Sequence, residues 1–456
     1  MDGRPSPRST VTAASLFEPL RLGPIEIRNR IVRSSLGGRF DNYDGSGTEV
    51  RINLDVKFAR LGFGAIISSH APIDERGHIL PGYAYFDSDR RVPFWRELGK
   101  RVHEHGCHYI AQLVFAGRER ILPGLRYDTA FGATNDREPL NGFPCRALSV
   151  ADIKGVVEQF AQAARRAREA GLDGIELAGA NGMLFTQFLS PAINKRKDEY
   201  GGSLENRARL ALETVRAIRA EVGHDFCLGF KISVAEEPRE LLPWERRGNK
   251  PEDVVQACRW LEEAGVDYLH VSAGTGFPHP RNPAGNFPAK DVVRTYDTIL
   301  SSGSRTLRNY LVFRTWPLSA AFRWWWERPS RKLGIEGINL PYARMVKGAV
   351  SIPVLCTGGF QTASTIAAAI DRGDCDGVTL ARTALANPDI VQLFAEGHDR
   401  PPRPCTYCNK CLFNFIENPL GCYDETRFES REEMVRTILS VYDAPSFASA
   451  ATEVHA

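Results

Sequence analysis

Four thiols near the C-terminus, Cys405, Cys408, Cys411 and Cys422, are the densest chemical signal in this 456-residue chain. Their intervals of two, two and ten residues let four thiolates converge on one centre, as an iron–sulfur or zinc site requires. A run of free thiols is the remaining reading. The other six cysteines (Cys107, Cys145, Cys227, Cys258, Cys356 and Cys375) are scattered and read as buried thiols of a reducing cytoplasm. A second signal is Lys231, set between Phe230 and Ile232. Lysine is rarely buried without a partner or a task. It could pair with a carboxylate such as Glu176, face an anionic ring, or act as the Schiff-base nucleophile of a lyase. A third is the pair Gly358-Gly359 with Arg382 some twenty residues on. Bare backbone N–H groups and a guanidinium are what a phosphate needs.

Such residues are useful only if the chain brings them together. Apolar runs of strand length occur at 31–36, 64–69, 109–115, 174–180, 226–233, 268–274, 352–359 and 377–382. Amphipathic stretches separate them. Residues 152–170 are the clearest, with Ile153, Val156, Val157, Phe160, Ala164 and Ala167 on one face. Ser149 with Asp152 forms a capping box and Gly171 a stop. Segments 205–221 and 251–264 repeat the scheme. Strands apolar on both faces belong to a parallel sheet. Eight of them alternating with helices predict an α/β fold, a (β/α)8 TIM barrel. The rival, a doubly wound dinucleotide-binding sheet, lacks a G-x-G-x-x-G after its first strand.

The expected organisation is a tail over 1–15, a barrel over 16–400 and a Cys-rich C-terminal extension over 401–456. A long insertion after the sixth strand, about 275–334, carries four of the seven tryptophans, Trp316, Trp324, Trp325 and Trp326, interleaved with basic residues. It reads as an amphipathic helix packed on the barrel, or as a pocket lid, an oligomer interface or a membrane-surface helix. Net charge is only +3, which argues against a nucleic-acid partner. No apolar run is long enough for a transmembrane helix, and the first residues lack the core of a secretory signal. The expected location is cytoplasmic.

Barrels place their chemistry at the C-terminal ends of the strands. In chain order those ends offer Ser34, Ser35, Leu36 and Gly37; His70; Gln112; Glu176 and Asn181; Lys231; Ser272; Gly358 and Gly359; Ala381 and Arg382. The loops after strands seven and eight are where barrels commonly hold phosphate. Lys231 and Gln112 together could bond the polar edge of a flavin ring.

These residues also carry a resemblance. Leu16-Phe17-Glu18-Pro19-Leu20 followed by Asn29-Arg30-Ile31-Val32 resembles the opening of the Old Yellow Enzyme family of NAD(P)H:flavin oxidoreductases. Gln112-Leu113 with Ala116-Gly117-Arg118 resembles its third-strand motif. The densest match is Gln187-Phe188-Leu189-Ser190-Pro191, Asn194, Arg196, Asp198, Tyr200-Gly201-Gly202-Ser203 and Glu205-Asn206-Arg207. Gly358-Gly359, Ala381-Arg382 and Leu385-Ala386-Asn387-Pro388 close it. The cysteine run resembles that of dienoyl-CoA reductases and trimethylamine dehydrogenases, which implies a [4Fe-4S] cluster next to the flavin.

The resemblance implies non-covalent FMN. Ser34, Ser35, Leu36 and Gly37 would cover its ring and His70 would face it. Gln112 and Lys231 would bond its polar edge, and Gly358, Gly359, Ala381 and Arg382 would hold its phosphate. It also implies hydride transfer from NADH or NADPH through flavin N5 to an electron-poor C=C bond. With a cluster present, either its electron partner would be another protein or the cluster would be structural, and a homo-oligomer is compatible. Departures from the family pattern include Phe115, where the third-strand motif commonly has a polar ring, and His70, where the family prefers a small residue. The family's two carbonyl donors fall on Ala178 and Asn181, so one donor is missing, and its tyrosine proton donor falls on Met183. The replacement acid is expected at His279, then at His70, whose ring titrates near neutrality when unperturbed. A flavin barrel with reduced or no turnover fits the same departures.

Overall fold

The computed structural model describes residues 14–236, 248–274, 276, 280, 282–300 and 302–443. Eight parallel strands form a closed ring: β1 (Ile31–Arg33), β2 (Ala65–Ile67), β3 (His108–Val114), β4 (Gly174–Gly179), β5 (Cys227–Ala235), β6 (Tyr268–Ala273), β7 (Val354–Thr357) and β8 (Gly377–Leu380). Each pairs with the next, and β8 returns to β1 through Val378, Thr379 and Leu380 against Ile31, Val32 and Arg33. All eight sequence-expected strands are present, most of them trimmed by one or more residues at their ends. Most of the trimming falls at the mouth, where the backbone leaves the ladder to carry side chains into loops, whereas β5 runs on to Ala235.

Inward residues at the bottom of the barrel are apolar. Val32, Ala65, Ile67, Ile110 and Leu355 pack against Leu20, Leu22 and Ile27 of an N-terminal hairpin that plugs this end. Outside, the helices bury one face each. The helix Val150–Glu169 buries Ile153, Val156, Phe160, Ala164 and Ala167, while Val157 is half-buried at the edge of the stripe. Each such large apolar side chain contributes about 1.5–3 kcal/mol when withdrawn from water. The Ser149 and Asp152 capping box is formed, with Ser149 N–H donating to Asp152 at 2.9 Å.

The insertion after β6 is helical through Ala289–Arg294, Tyr296–Ile299, Thr306–Arg314 and Trp316–Leu333. It folds over the C-terminal mouth and builds a second apolar core there. Phe287 is its centre, with ring centroids of Phe313, Phe322, Trp326 and Phe413 at 5.0, 4.7, 5.1 and 5.6 Å. Phe322, Trp325 and Trp326 stand three and four apart and so share the inward stripe of their helix. Trp316 and Trp324 fall on the opposite side and are exposed.

Candidate functional site

The barrel turns polar above its plug because strands β3 to β8 place hydrogen-bonding side chains on inward positions at matching registers. Gln112 stands opposite Glu176, and Lys231 opposite His270. Glu176 is fully buried and accepts from Gln112 Nε2 at 2.7 Å, His270 Nδ1 at 2.9 Å and Tyr268 Oη at 3.1 Å. Gly229 makes room for this arrangement: a Cβ there would stand 2.1 Å from the Tyr268 ring. Burial pushes the Glu176 pKa up, but His270, Lys231 and the Gln112 hydrogen bond outweigh it and hold the carboxyl below its usual range. Burial, and then the Lys231 charge, push the His270 pKa down, against the Glu176 charge and hydrogen bond. Its Nδ1–H then donates to Glu176, and Nε2 accepts the Thr379 hydroxyl at 2.9 Å. His270 and Thr379 were missed by reading strand ends alone. Their signal was a histidine and a threonine at inward positions of otherwise apolar strands.

Above this layer lies a cavity of about 230 Å³ between the barrel mouth and the insertion. Lys231 lines it and is 7% exposed. Among the described residues its only hydrogen-bond partner is Ser34 Oγ, at the long distance of 3.5 Å. Glu176 raises the Lys231 pKa only against a larger lowering by burial, and the two form no direct ion pair, contrary to the simplest structural reading of that lysine. A buried ammonium this poorly matched favours an anionic group in the cavity. Ser35 and His70 also line the cavity, and Ser35 Oγ and His70 Nδ1 are buried with no hydrogen-bond partner among the described residues. Gln112 spends Nε2 on Glu176, which leaves Oε1 as its acceptor on the cavity side. The donor set therefore fits a flat polar-edged ring with an electron-rich edge beside Lys231. Burial, then Lys231 and Arg51, push the His70 pKa down to about 3, so its ring is neutral at physiological pH.

At one end of the cavity stand Gly358, Gly359, Ala381 and Arg382. Gly359 has φ +70°, and a Cβ there would approach Ile335 Cγ2 to 2.9 Å, so only glycine is unstrained. Arg382 is already engaged. Its Nη1 donates to the Ala284 carbonyl at 2.8 Å and to Asn409 Oδ1, and its guanidinium lies 5.4 Å from the Tyr407 ring centroid. The side chain thus ties the loop after β8 to the insertion and to the C-terminal segment, with Nε and Nη2 left for an anion.

Asn181 and Met183 line the cavity on the opposite side. Asn181 adopts φ 62° and accepts at Oδ1 from Ser272 Oγ at 3.2 Å and from Asn282 Nδ2. That pattern turns its Nδ2 donor toward open space. Ala178 does not reach the cavity. It packs in a small apolar cluster with Val114, Ala116 and Met183, because the Met183 side chain covers it. Leu36, Gly37, Phe287, Tyr296 and Phe413 complete mostly apolar walls. His279 lies outside the described residues.

The four cysteines Cys405, Cys408, Cys411 and Cys422 line one small pocket, together with Arg382 and Arg427. Among the described residues no three His, Cys, Asp or Glu side chains close on a single ion. Arg427 Nη1 donates to Cys422 Sγ at 3.1 Å and Tyr407 N–H to Cys405 Sγ at 3.4 Å. Four thiols thus border one space, two of them with N–H donors on the sulfur. Burial pushes the Cys405, Cys408 and Cys411 thiols up, with the Arg382 charge opposing it at Cys405 and Cys411.

A sequence model described as the NADH:flavin oxidoreductase / NADH oxidase family matches residues 15–294. A dihydrouridine synthase model matches 328–442. An NADH oxidase of Thermoanaerobacter brockii is 30% identical over 91% of this chain and 58% of its own. Among solved structures, a 2-naphthoyl-CoA reductase complex superposes with TM-score 0.73 at 22% identity, over 90% of this chain and 57% of that one. An old yellow enzyme homologue from Zymomonas mobilis gives 0.63 at 22% identity, over 89% and 99%. These superpositions show the fold. The chain spans little more than half the length of the first curated relatives it matches.

Proposed function

Because the chain belongs to the NADH:flavin oxidoreductase / NADH oxidase family, we propose that it is an FMN-dependent oxidoreductase acting on bulky, apolar, electron-poor alkenes or related acceptors. The observation that carries the reading is Lys231, a buried ammonium on the cavity wall with one long hydroxyl contact. When bound, FMN would supply the hydride chemistry that links NADH or NADPH to the acceptor carbon. Lys231 and Gln112 bind the polar edge of its ring, Ser34, Ser35, Leu36 and Gly37 line it, and Gly358, Gly359, Ala381 and Arg382 hold its phosphate. Glu176, His270 and Tyr268 fix Gln112 from below.

Asn181 Nδ2 orients a substrate oxygen, while Met183 in the cavity wall and Ala178 beneath it make that side apolar. Phe287, Phe313 and Trp326 exclude water and favour large substrates over small polar enones. The proton that balances hydride addition comes from His279. His70, neutral in this setting, is a wall of the ring site rather than the acid. The four C-terminal cysteines hold a [4Fe-4S] cluster, supported by their shared pocket and the N–H groups on their sulfurs. Such a cluster would supply one-electron chemistry beside the flavin or toward another protein.

The test is direct. Anaerobically purified protein should release FMN on denaturation, contain about four iron atoms per chain, bleach with NADH or NADPH, and recover colour with an aryl or long-chain α,β-unsaturated acceptor. Release of FAD, or a colourless protein trapped by borohydride with a carbonyl compound, would overturn it.

A further inference from the structure

The outer side of the insertion raises a separate question. Thr306–Arg314 and Trp316–Leu333 meet in an elbow at Thr315. Around it Leu311, Trp316 and Leu318 are 52%, 79% and 51% exposed, with Trp324 at 63% further along. No described residue covers them. The inward stripe of the same helices is already full, since Phe313 and Trp326 are buried and Phe322 packs on Phe287. The exposed set therefore cannot be buried by rotating the helix without emptying the core beneath it.

Charge accompanies this apolar face. Residues 305–333 hold seven Lys and Arg against one acid, Glu327. The whole chain nets only +3, so the rest of the molecule is acidic on balance. Arg323 and Arg331 share Glu327; Arg308 has the neutral Asn309 side chain and Arg314 the neutral Tyr310 hydroxyl as hydrogen-bond partners. A second copy is a poor occupant, because a two-fold contact would bring two such basic faces together. Exposed tryptophan and leucine around the elbow, with arginines on the same two helices, match the boundary of an anionic bilayer: rings at headgroup depth, guanidinium groups on phosphates.

We propose that this elbow docks on an anionic lipid surface, lying on it rather than crossing it. No helix among the described residues is long and apolar enough to cross a membrane. Phe313, Phe322 and Trp326, on the other side of the same helices, line the cavity, so the docked face and the cavity roof are one element.

Flotation of the full-length holoprotein with vesicles tests this. The protein should float with vesicles of equal parts phosphatidylcholine and phosphatidylglycerol at low salt, and remain below with phosphatidylcholine alone. Trp316→Ser combined with Leu318→Ser should abolish flotation and leave flavin reduction unchanged, since neither residue lines the cavity. Arg308→Ala and Arg314→Ala should each lower partitioning about fivefold. The proposal fails if the parent does not float with the anionic vesicles, or if the Trp316/Leu318 variant floats as well as the parent. It fails equally if the parent is a dimer that the variant turns into monomers without any vesicle binding, for the face is then an interface between copies.

Discussion

Replacing Lys231 by Met separates a ligand-facing charge from a structural one. The two side chains have similar length and volume, so packing in β5 is conserved. Only the charge and its donors go. Among the described residues Lys231 Nζ has one hydroxyl contact, at 3.5 Å, and no carboxylate within ion-pair distance. Glu176 keeps Gln112, His270 and Tyr268 as donors whether or not Lys231 is present. Flavin-free Lys231→Met should therefore melt at the parent temperature or above it, because an ill-matched buried charge has been removed. With FMN bound the effect should reverse. A hydrogen bond to a charged group is worth about 1.5–3 kcal/mol, and the negative charge on the ring grows on reduction. Since about 30 mV corresponds to about 1.4 kcal/mol for a two-electron couple, the flavin midpoint potential should fall by about 30–60 mV. Spectroelectrochemical titration reads the potential, and thermal unfolding of flavin-free protein reads the other half. An unchanged potential together with a lower melting temperature would refute the reasoning and make Lys231 a structural partner of Glu176.

Arg382→Ala should lower FMN occupancy and iron content together, because Arg382 also holds Ala284 and Asn409; full flavin with reduced iron would restrict Arg382 to the loop. Glu176→Gln should cost about 1.5–3 kcal/mol at neutral pH, since an amide cannot accept all three donors. Its carboxyl is held below the usual range, so the stability it gives is present above its unfolded pKa and lost as pH falls through the lowered folded value. Chemical denaturation should accordingly show parent and variant converging in acid. His279→Ala should slow re-oxidation of reduced enzyme by substrate about 10²–10⁴-fold in stopped flow and spare reduction by NAD(P)H. With its pKa near 3, His70→Gln should leave the pH profile of turnover between about pH 5 and 8 unshifted; a lost acidic limb would restore His70 as the acid.

Much of the scaffold was legible before folding was considered. A strand buried on both faces leaves a continuous apolar run, and a helix on its surface leaves a stripe, so both are local records of burial. That is why the eight strands and the helix capped by Ser149 were found, and why Lys231, an amine inside such a run, stood out. The insertion was legible only as amphipathic. Which tryptophans turned inward was decided when Phe287 and Phe413, far apart in sequence, met between the helices. The Glu176 network was hidden for the same reason. His270 and Thr379 lie 109 residues apart and become partners only because the barrel closes with one shear. Ala178 left the cavity wall because Met183 folds over it. Arg382 lost its freedom to Asn409, a residue from beyond the barrel. Periodicity records which side of an element meets water, whereas register, ring closure and loop docking are set by contacts between distant segments that no single segment encodes.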